Sequence, residues 1–95
     1  MIVFGPNDKR TEAVFQGRCP KDFPADILSV ARRKLGYLNA AVTLRDLSAP
    51  PGNRPETLRG DRTGQHSIRV NDRYRVCFEW RDGNAYNVEI VDYHG

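Results

Sequence analysis

Apolar residues change their spacing once along this chain of 95 residues. Over residues 24–39, Ile27, Ala31, Leu35 and Leu38 recur at helical intervals and Leu28 widens the stripe, which predicts an amphipathic helix. Pro24 suits its first position, where a backbone N–H has no partner within the helix and a fixed φ is already helical. Arg32, Arg33 and Lys34 are expected to point mostly away from the stripe. Residues 48–55 then hold Pro50, Pro51, Pro55 and Gly52, which remove donors and fix or free φ where regular structure could not use them. After that loop the period becomes two. His66, Ile68 and Val70 alternate with Ser67, Arg69 and Asn71, and Tyr74, Val76, Phe78 and Trp80 alternate with Arg75, Cys77 and Glu79. Asn71-Asp72 and Asp82-Gly83-Asn84 supply tight turns, so residues 65–93 read as a three-strand antiparallel meander.

Ahead of the main helix, Ile2, Val3 and Phe4 make a short strand stopped by Gly5 and Pro6. Asn7 or Asp8 caps a short helix through Gln16, which Gly17 ends, and residues 40–47 have room for one more helical turn. Strand, helices, loop and meander in that order predict an α+β fold, an antiparallel sheet with two to three helices on one face. With Tyr74, Val76, Phe78 and Trp80 toward the helices, Arg75 and Arg69 must face the other way. On the last strand Tyr86, Val88 and Ile90 are expected in the core, with Asn87, Glu89 and Val91 outward. Strict alternation then sends Tyr93 outward but not Asp92 or His94. A bulge or the free strand end is needed to bring all three to one site.

Composition narrows the class. With 39% hydrophobic and 28% charged residues, the chain is expected to fold as one domain around a single core, without a metal or disulfide. The N-terminus meets Pro6 and Asp8 too soon for a secretory apolar region, and eighteen apolar residues never run together, so a cytoplasmic protein with no membrane partner is expected. Cys19 and Cys77 lack metal or redox spacing and read as free thiols. No self-complementary apolar patch is marked, and a monomer is expected.

The net charge of +3 is small, but its placement is not even. Arg54, Arg59, Arg62, Arg69, Arg73, Arg75 and Arg81 outweigh Glu56, Asp61, Asp72 and Glu79, and that stretch carries the whole excess. Arginine offers a planar fork of donors suited to phosphate, so this is either a nucleic-acid-binding face or a solvated charged surface. No nucleotide-binding glycine loop, GxSxG, HExxH or paired CxxC motif is present. Of the two histidines, His66 falls on the apolar face of its strand and reads as a hydrogen-bonded core or boundary side chain. His94, beside Tyr93 and Asp92, is open to either a functional or a terminal-polar reading. A zinc site from Cys19, Cys77, His66 and His94 has the ligand count but no ligand spacing.

An arginine-lined sheet face beside an imidazole has the parts for RNA cleavage by internal attack. A base removes the ribose 2′-hydroxyl proton, an acid serves the leaving 5′-oxygen, and cations stabilise charge on the phosphoryl oxygens, without need of a metal or other cofactor. The segments GDRTGQHSIRVNDRYRVCFEW and VEIVDYH, with ARRKLGYLNAA and LRDLSAPPGNRPETLRGDR before them, resemble the HigB branch of the RelE-like toxins, the plasmid maintenance system killer proteins. The resemblance covers nearly the full length. Its most specific parts are Gly60-Asp61-Arg62, the strand from Ser67 to Val70, Arg75, and Asp92-Tyr93-His94.

That resemblance implies the RelE-like microbial RNase fold and cleavage of messenger RNA in the ribosomal A site to a 2′,3′-cyclic phosphate and a 5′-hydroxyl. It implies a HigA-like helix-turn-helix antitoxin as partner, with operator DNA reached only through that antitoxin, which need not cover the active site. Carried over by position, His94 is the acid or base, Arg75 and Arg59 stabilise phosphate, Tyr93 stacks on or hydrogen-bonds a base, and Asp92 orients its neighbours or acts as partner base. Arg54, Arg62, Arg69 and Arg73 extend the RNA- and ribosome-binding face. Glu56 stands where some members have a second catalytic histidine. A carboxylate there can act as base, but it repels phosphate and is a poor acid at neutral pH, so weaker or altered activity is expected. The competing expectation is a non-catalytic RNA- or ribosome-binding module using the same arginines. A third is a chain whose main role lies in its antitoxin complex and operon control.

Overall fold

The predicted meander forms as β3 (Gln65–Arg69), β4 (Tyr74–Arg81) and β5 (Asn84–Asp92), in a computed structural model that describes residues 1–92. Two short strands complete the sheet, β1 (Ile2–Val3) on one edge and β2 (Glu56–Thr57) on the other, in the order β1-β5-β4-β3-β2. The expectation of a wholly antiparallel sheet needs one correction: β1 runs parallel to β5, with Ile2 opposite Ala85 and Val3 opposite Tyr86. Residues 4–83 intervene between them, and α1, α2, β2, β3 and β4 make that crossover possible. β2 was not legible as a strand. Two residues after three prolines carry no alternation, and only β3 beside them, with Glu56 opposite Ser67, makes them extended.

Helix α1 is Lys9–Phe15 and helix α2 is Leu28–Ala40, preceded by a 3₁₀ turn, Ala25–Ile27. Asp8 precedes α1, but its carboxylate accepts from the Gly5 N–H (2.9 Å) and thereby braces the turn out of β1. Gly17, at φ +90°, lets the chain leave α1 in the left-handed region. The additional turn expected over 40–47 is a 3₁₀ turn at Leu44–Ser48, closed by a capping box between Thr43 and Asp46.

Leu35, Leu38, Leu47, Ile68, Val76, Phe78 and Val88 are buried together, so both helices cover one sheet face. Each such side chain contributes about 1.5–3 kcal/mol relative to exposure. Arg32 and Arg33 are exposed as expected, but Lys34 is not. Its Nζ donates to Asn53 Oδ1 at 2.6 Å, and its aliphatic stem lies within the helix packing. Burial first, then Arg33 and Arg69, pushes its pKa down.

The expected core position of Tyr86 is also corrected. Cys77 lies opposite Glu89, but Glu79 lies opposite Tyr86, so β5 uses one residue more than β4 over this span. Asn87 takes up the excess at φ +51°. Side chains on the N-terminal side of the bulge change faces: Ala85 is fully buried opposite Trp80, and Tyr86 joins the face of Glu79 and Arg81.

Candidate functional site

The sheet face away from the helices carries Glu56, Ser67, Arg69, Arg75, Cys77, Glu79, Arg81, Tyr86 and Glu89, as the register requires. Arg75 is its most constrained cation, only 7% exposed. Its Nε donates to Ser67 Oγ (2.7 Å) and its Nη2 to the Arg54 carbonyl (2.5 Å) and the Ser67 carbonyl (3.5 Å). The guanidinium therefore spans from β3 to the proline-rich loop with its plane fixed before any ligand arrives.

That loop is itself anchored from below. Asn53 is fully buried, accepts from Lys34, donates from Nδ2 to the Leu47 carbonyl (3.1 Å), and takes the Arg69 N–H on its own carbonyl (2.6 Å). The next residue, Arg54, sits at φ +41°, which turns its carbonyl toward Arg75. The chain Lys34, Asn53, Arg54, Arg75 thus links the helix layer to the open face.

Arg62 lies over the middle of the face, donating to Gln65 Oε1 (2.9 Å) and pairing with Glu89 (2.6 Å). Under it, burial pushes the Cys77 thiol up, with Glu89 adding to the rise while Arg62 and Arg75 oppose it. Cys77 is a buried free thiol and Cys19 an exposed one, as their spacing predicts. Arg69 pairs with Asp72, and Arg73 grips Asp92 through Nε (3.0 Å) and Nη2 (2.8 Å). Arg54 and Arg59 are exposed, Arg59 at the start of the Gly60–Arg62 turn.

The structure therefore brings Arg75, Arg62, Arg69 and Glu56 to one face, with Glu56 opposite Ser67 and exposed. Asp92 is placed differently. It lies opposite Tyr74, whereas Arg75 lies opposite Val91, so Asp92 leaves the strand on the side of Tyr74. The Asn87 bulge is too early in β5 to alter that relation. Tyr93 and His94 fall outside the described residues. His66 is on the helix side, half-buried, with Nδ1 3.4 Å from Thr57 Oγ1 and its ring 5.9 Å from Phe78, in keeping with its reading as a boundary side chain. Among the described residues no cluster of three His, Cys, Asp or Glu side chains could hold a metal, and no helix is long and apolar enough to cross a membrane.

The sequence reading missed the pair Arg81 and Tyr86, with the guanidinium carbon 4.2 Å from the ring centroid. No sequence pattern signals it, because strict alternation puts Tyr86 in the core and the bulge at Asn87 shows only in the strand register.

A family model described as the RelE-like toxin of type II toxin-antitoxin system HigB matches residues 7–94. The chain belongs to the HigB-like toxins. Toxin HigB-1 of Vibrio cholerae is 50% identical over 67 residues, 70% of each chain. Endoribonuclease HigB of Proteus vulgaris is 27% identical over 86 residues, 90% of this chain and 92% of that one. A chain of a YoeB-YefM complex from Staphylococcus aureus shares the fold, with a TM-score of 0.62 at 21% identity over 100% of this chain and 97% of the other. In this HigB-like toxin, Arg69, Arg75 and Arg81 lie on the sheet face that the helices leave open.

Proposed function

We propose that this HigB-like toxin is a ribosome-dependent endoribonuclease that cuts messenger RNA in the A site and is neutralised by a HigA-like antitoxin. Arg75 carries the reading: a nearly buried guanidinium, oriented by Ser67 and the Arg54 carbonyl on a helix-free face, is suited to stabilise charge that develops on a phosphate. The name of the Proteus vulgaris relative supports the reaction class. The protein acts in the cytoplasm, where ribosomes are.

In this reaction the ribose 2′-oxygen loses its proton to a base and attacks the adjacent phosphorus. The phosphorus–O5′ bond breaks, an acid protonates the departing O5′, and the products are a 2′,3′-cyclic phosphate and a 5′-hydroxyl. No water or metal enters that balance. His94 serves as acid or base, Tyr93 contacts a base of the messenger, and exposed Glu56 assists as base where some members carry a histidine. Arg59 and Arg54 approach the phosphates as exposed cations, Arg62 and Arg69 extend the face, and Arg73 is instead held by Asp92 on the Tyr74 side of β5. Asp92, gripped by Arg73 at the end of β5, orients its neighbours or acts as partner base.

Mapping messenger 5′-ends after induction of the wild type and of His94→Ala tests the proposal. New 5′-hydroxyl ends at fixed codon phase, lost in the variant, are expected, with the rate falling by about 10²–10⁴-fold. One observation favours the non-catalytic binding module: exposed Glu56 stands where some members carry a catalytic histidine, while Arg69 and Arg75, which binding needs, keep their place on the open face. Growth arrest without new ends, or arrest indifferent to His94→Ala, decides for that module. Glu56→Ala leaving the cleavage rate unchanged would remove Glu56 from the chemistry.

A further inference from the structure

The bulge at Asn87 places an aromatic ring where alternation would have put a small side chain, and this happens on the arginine face. Asn87 adopts a left-handed backbone that a non-glycine residue rarely takes, and its Nδ2 donates to Glu79 Oε2 (2.5 Å) across the strands. The bulge is thus locked from both strands. Its consequence is a half-buried Tyr86 with the Arg81 guanidinium 4.2 Å from its ring centroid. Val3 lies opposite Tyr86 on β1, shares its face, and is 39% exposed. A planar cation, an aromatic ring and an uncovered apolar side chain therefore stand together at the edge of the sheet.

We propose that Val3, Arg81 and Tyr86 form a stacking platform for an unpaired RNA base, set apart from the phosphate-binding Arg75. The proposal rests on the endoribonuclease reading and deepens it. The Tyr86 ring holds the Arg81 guanidinium against it, the outer face of the guanidinium is offered to a nucleobase, and stacking of this kind tolerates any base. From Arg75 to Arg81 is six residues of β4, roughly 20 Å at about 3.3 Å per residue, or a few nucleotides of extended single strand. Between them lie Glu89 and Glu79. Arg62 neutralises the first and Asn87 occupies the second, so the path lets a base approach the platform but does not invite a second phosphate beside it. The platform thus selects for a single-stranded base flanking the cut, and it acts on binding and not on the chemical step.

The test measures cleavage of a defined messenger on purified programmed ribosomes for the wild type, Tyr86→Ala, Tyr86→Leu and Tyr86→Phe. Ribosome binding is followed separately, and thermal melting controls for folding. Tyr86→Ala and Tyr86→Leu are expected to raise the half-saturating ribosome concentration by about tenfold with the saturating single-turnover rate unchanged, whereas Tyr86→Phe, which keeps the ring, behaves as wild type. Tyr86→Leu folding normally and matching wild type in both parameters overturns the platform. So does a lowered saturating rate with unchanged half-saturation. Weakened antitoxin binding with intact ribosome binding also overturns it, by assigning the patch to a protein partner. If the wild type cuts no RNA but Tyr86→Leu still weakens ribosome binding, the platform stands and the catalytic reading falls.

Discussion

On the helix side of the sheet, Ile68, Val76, Phe78 and Val88 are fully buried against Leu35 and Leu38; on the other side Ser67 and Cys77 are equally enclosed and Arg75 nearly so, but by polar neighbours. Apolar burial is non-directional, so the first face gains stability from area and shape. The second is held by bonds with direction, from Arg75 to Ser67 and Arg54, and from Arg62 to Gln65 and Glu89. Removing a partner there leaves a buried group unsatisfied, and it also misaims a cation. The two faces should therefore separate stability from activity.

The largest effect expected is on the helix side. Phe78→Ala should destabilise the fold by about 3–5 kcal/mol, read as a lowered urea midpoint; a loss no greater than that of Ser67→Ala would erase the contrast between the faces. Next comes Arg75→Ala, for which the single-turnover cleavage rate should fall by about 10²–10³-fold, while far-ultraviolet circular dichroism stays native. Smaller again is Asn53→Ala, which strips Lys34 and the Leu47 carbonyl of a buried partner and should cost about 1–3 kcal/mol. It should also slow cleavage, because the Arg54 carbonyl that orients Arg75 is released. The double variant Lys34→Met with Asn53→Leu, which removes both polar partners, should recover part of the stability but not the cleavage rate.

The smallest effect is a pH slope from Cys77. Its folded thiol keeps a proton that the unfolded chain gives up near the ordinary value of 9.0. The resulting stability is fully present below that pH and is lost as pH rises through the higher folded-state value. Cys77→Ala should flatten the decline in stability above pH 9.0, measured as urea midpoints across that range. A thiol reagent at neutral pH should modify Cys19 in the native protein and reach Cys77 only on unfolding. Rapid native modification of both would mean that the polar face opens readily.

Helix α2 and the meander were legible because their apolar residues repeat at the period that each backbone imposes, and Gly17 and Asp82-Gly83 mark turns that few other residues allow. The arginine face was legible for the same reason, since Arg69 and Arg75 fall out of phase with Ile68 and Val76. Lys34 was misread because a long cationic side chain looks exposed until a partner such as Asn53 is brought to it from nineteen residues away. Tyr86 was misread because one inserted residue inverts alternation, and Asn87 bears no sequence mark of a bulge as glycine would.

By itself the sequence determined the fold class, the helix-covered face and the concentration of arginine on the other, because periodicity and charge are local properties of the chain. Tertiary structure alone decided that β1 would close the sheet in parallel beside β5, that Arg75 would be aimed by a loop carbonyl, and that Tyr86 would join the open face. Each of those depends on which backbone lies alongside which. No local pattern fixes strand register or the hydrogen bonds between segments remote in sequence.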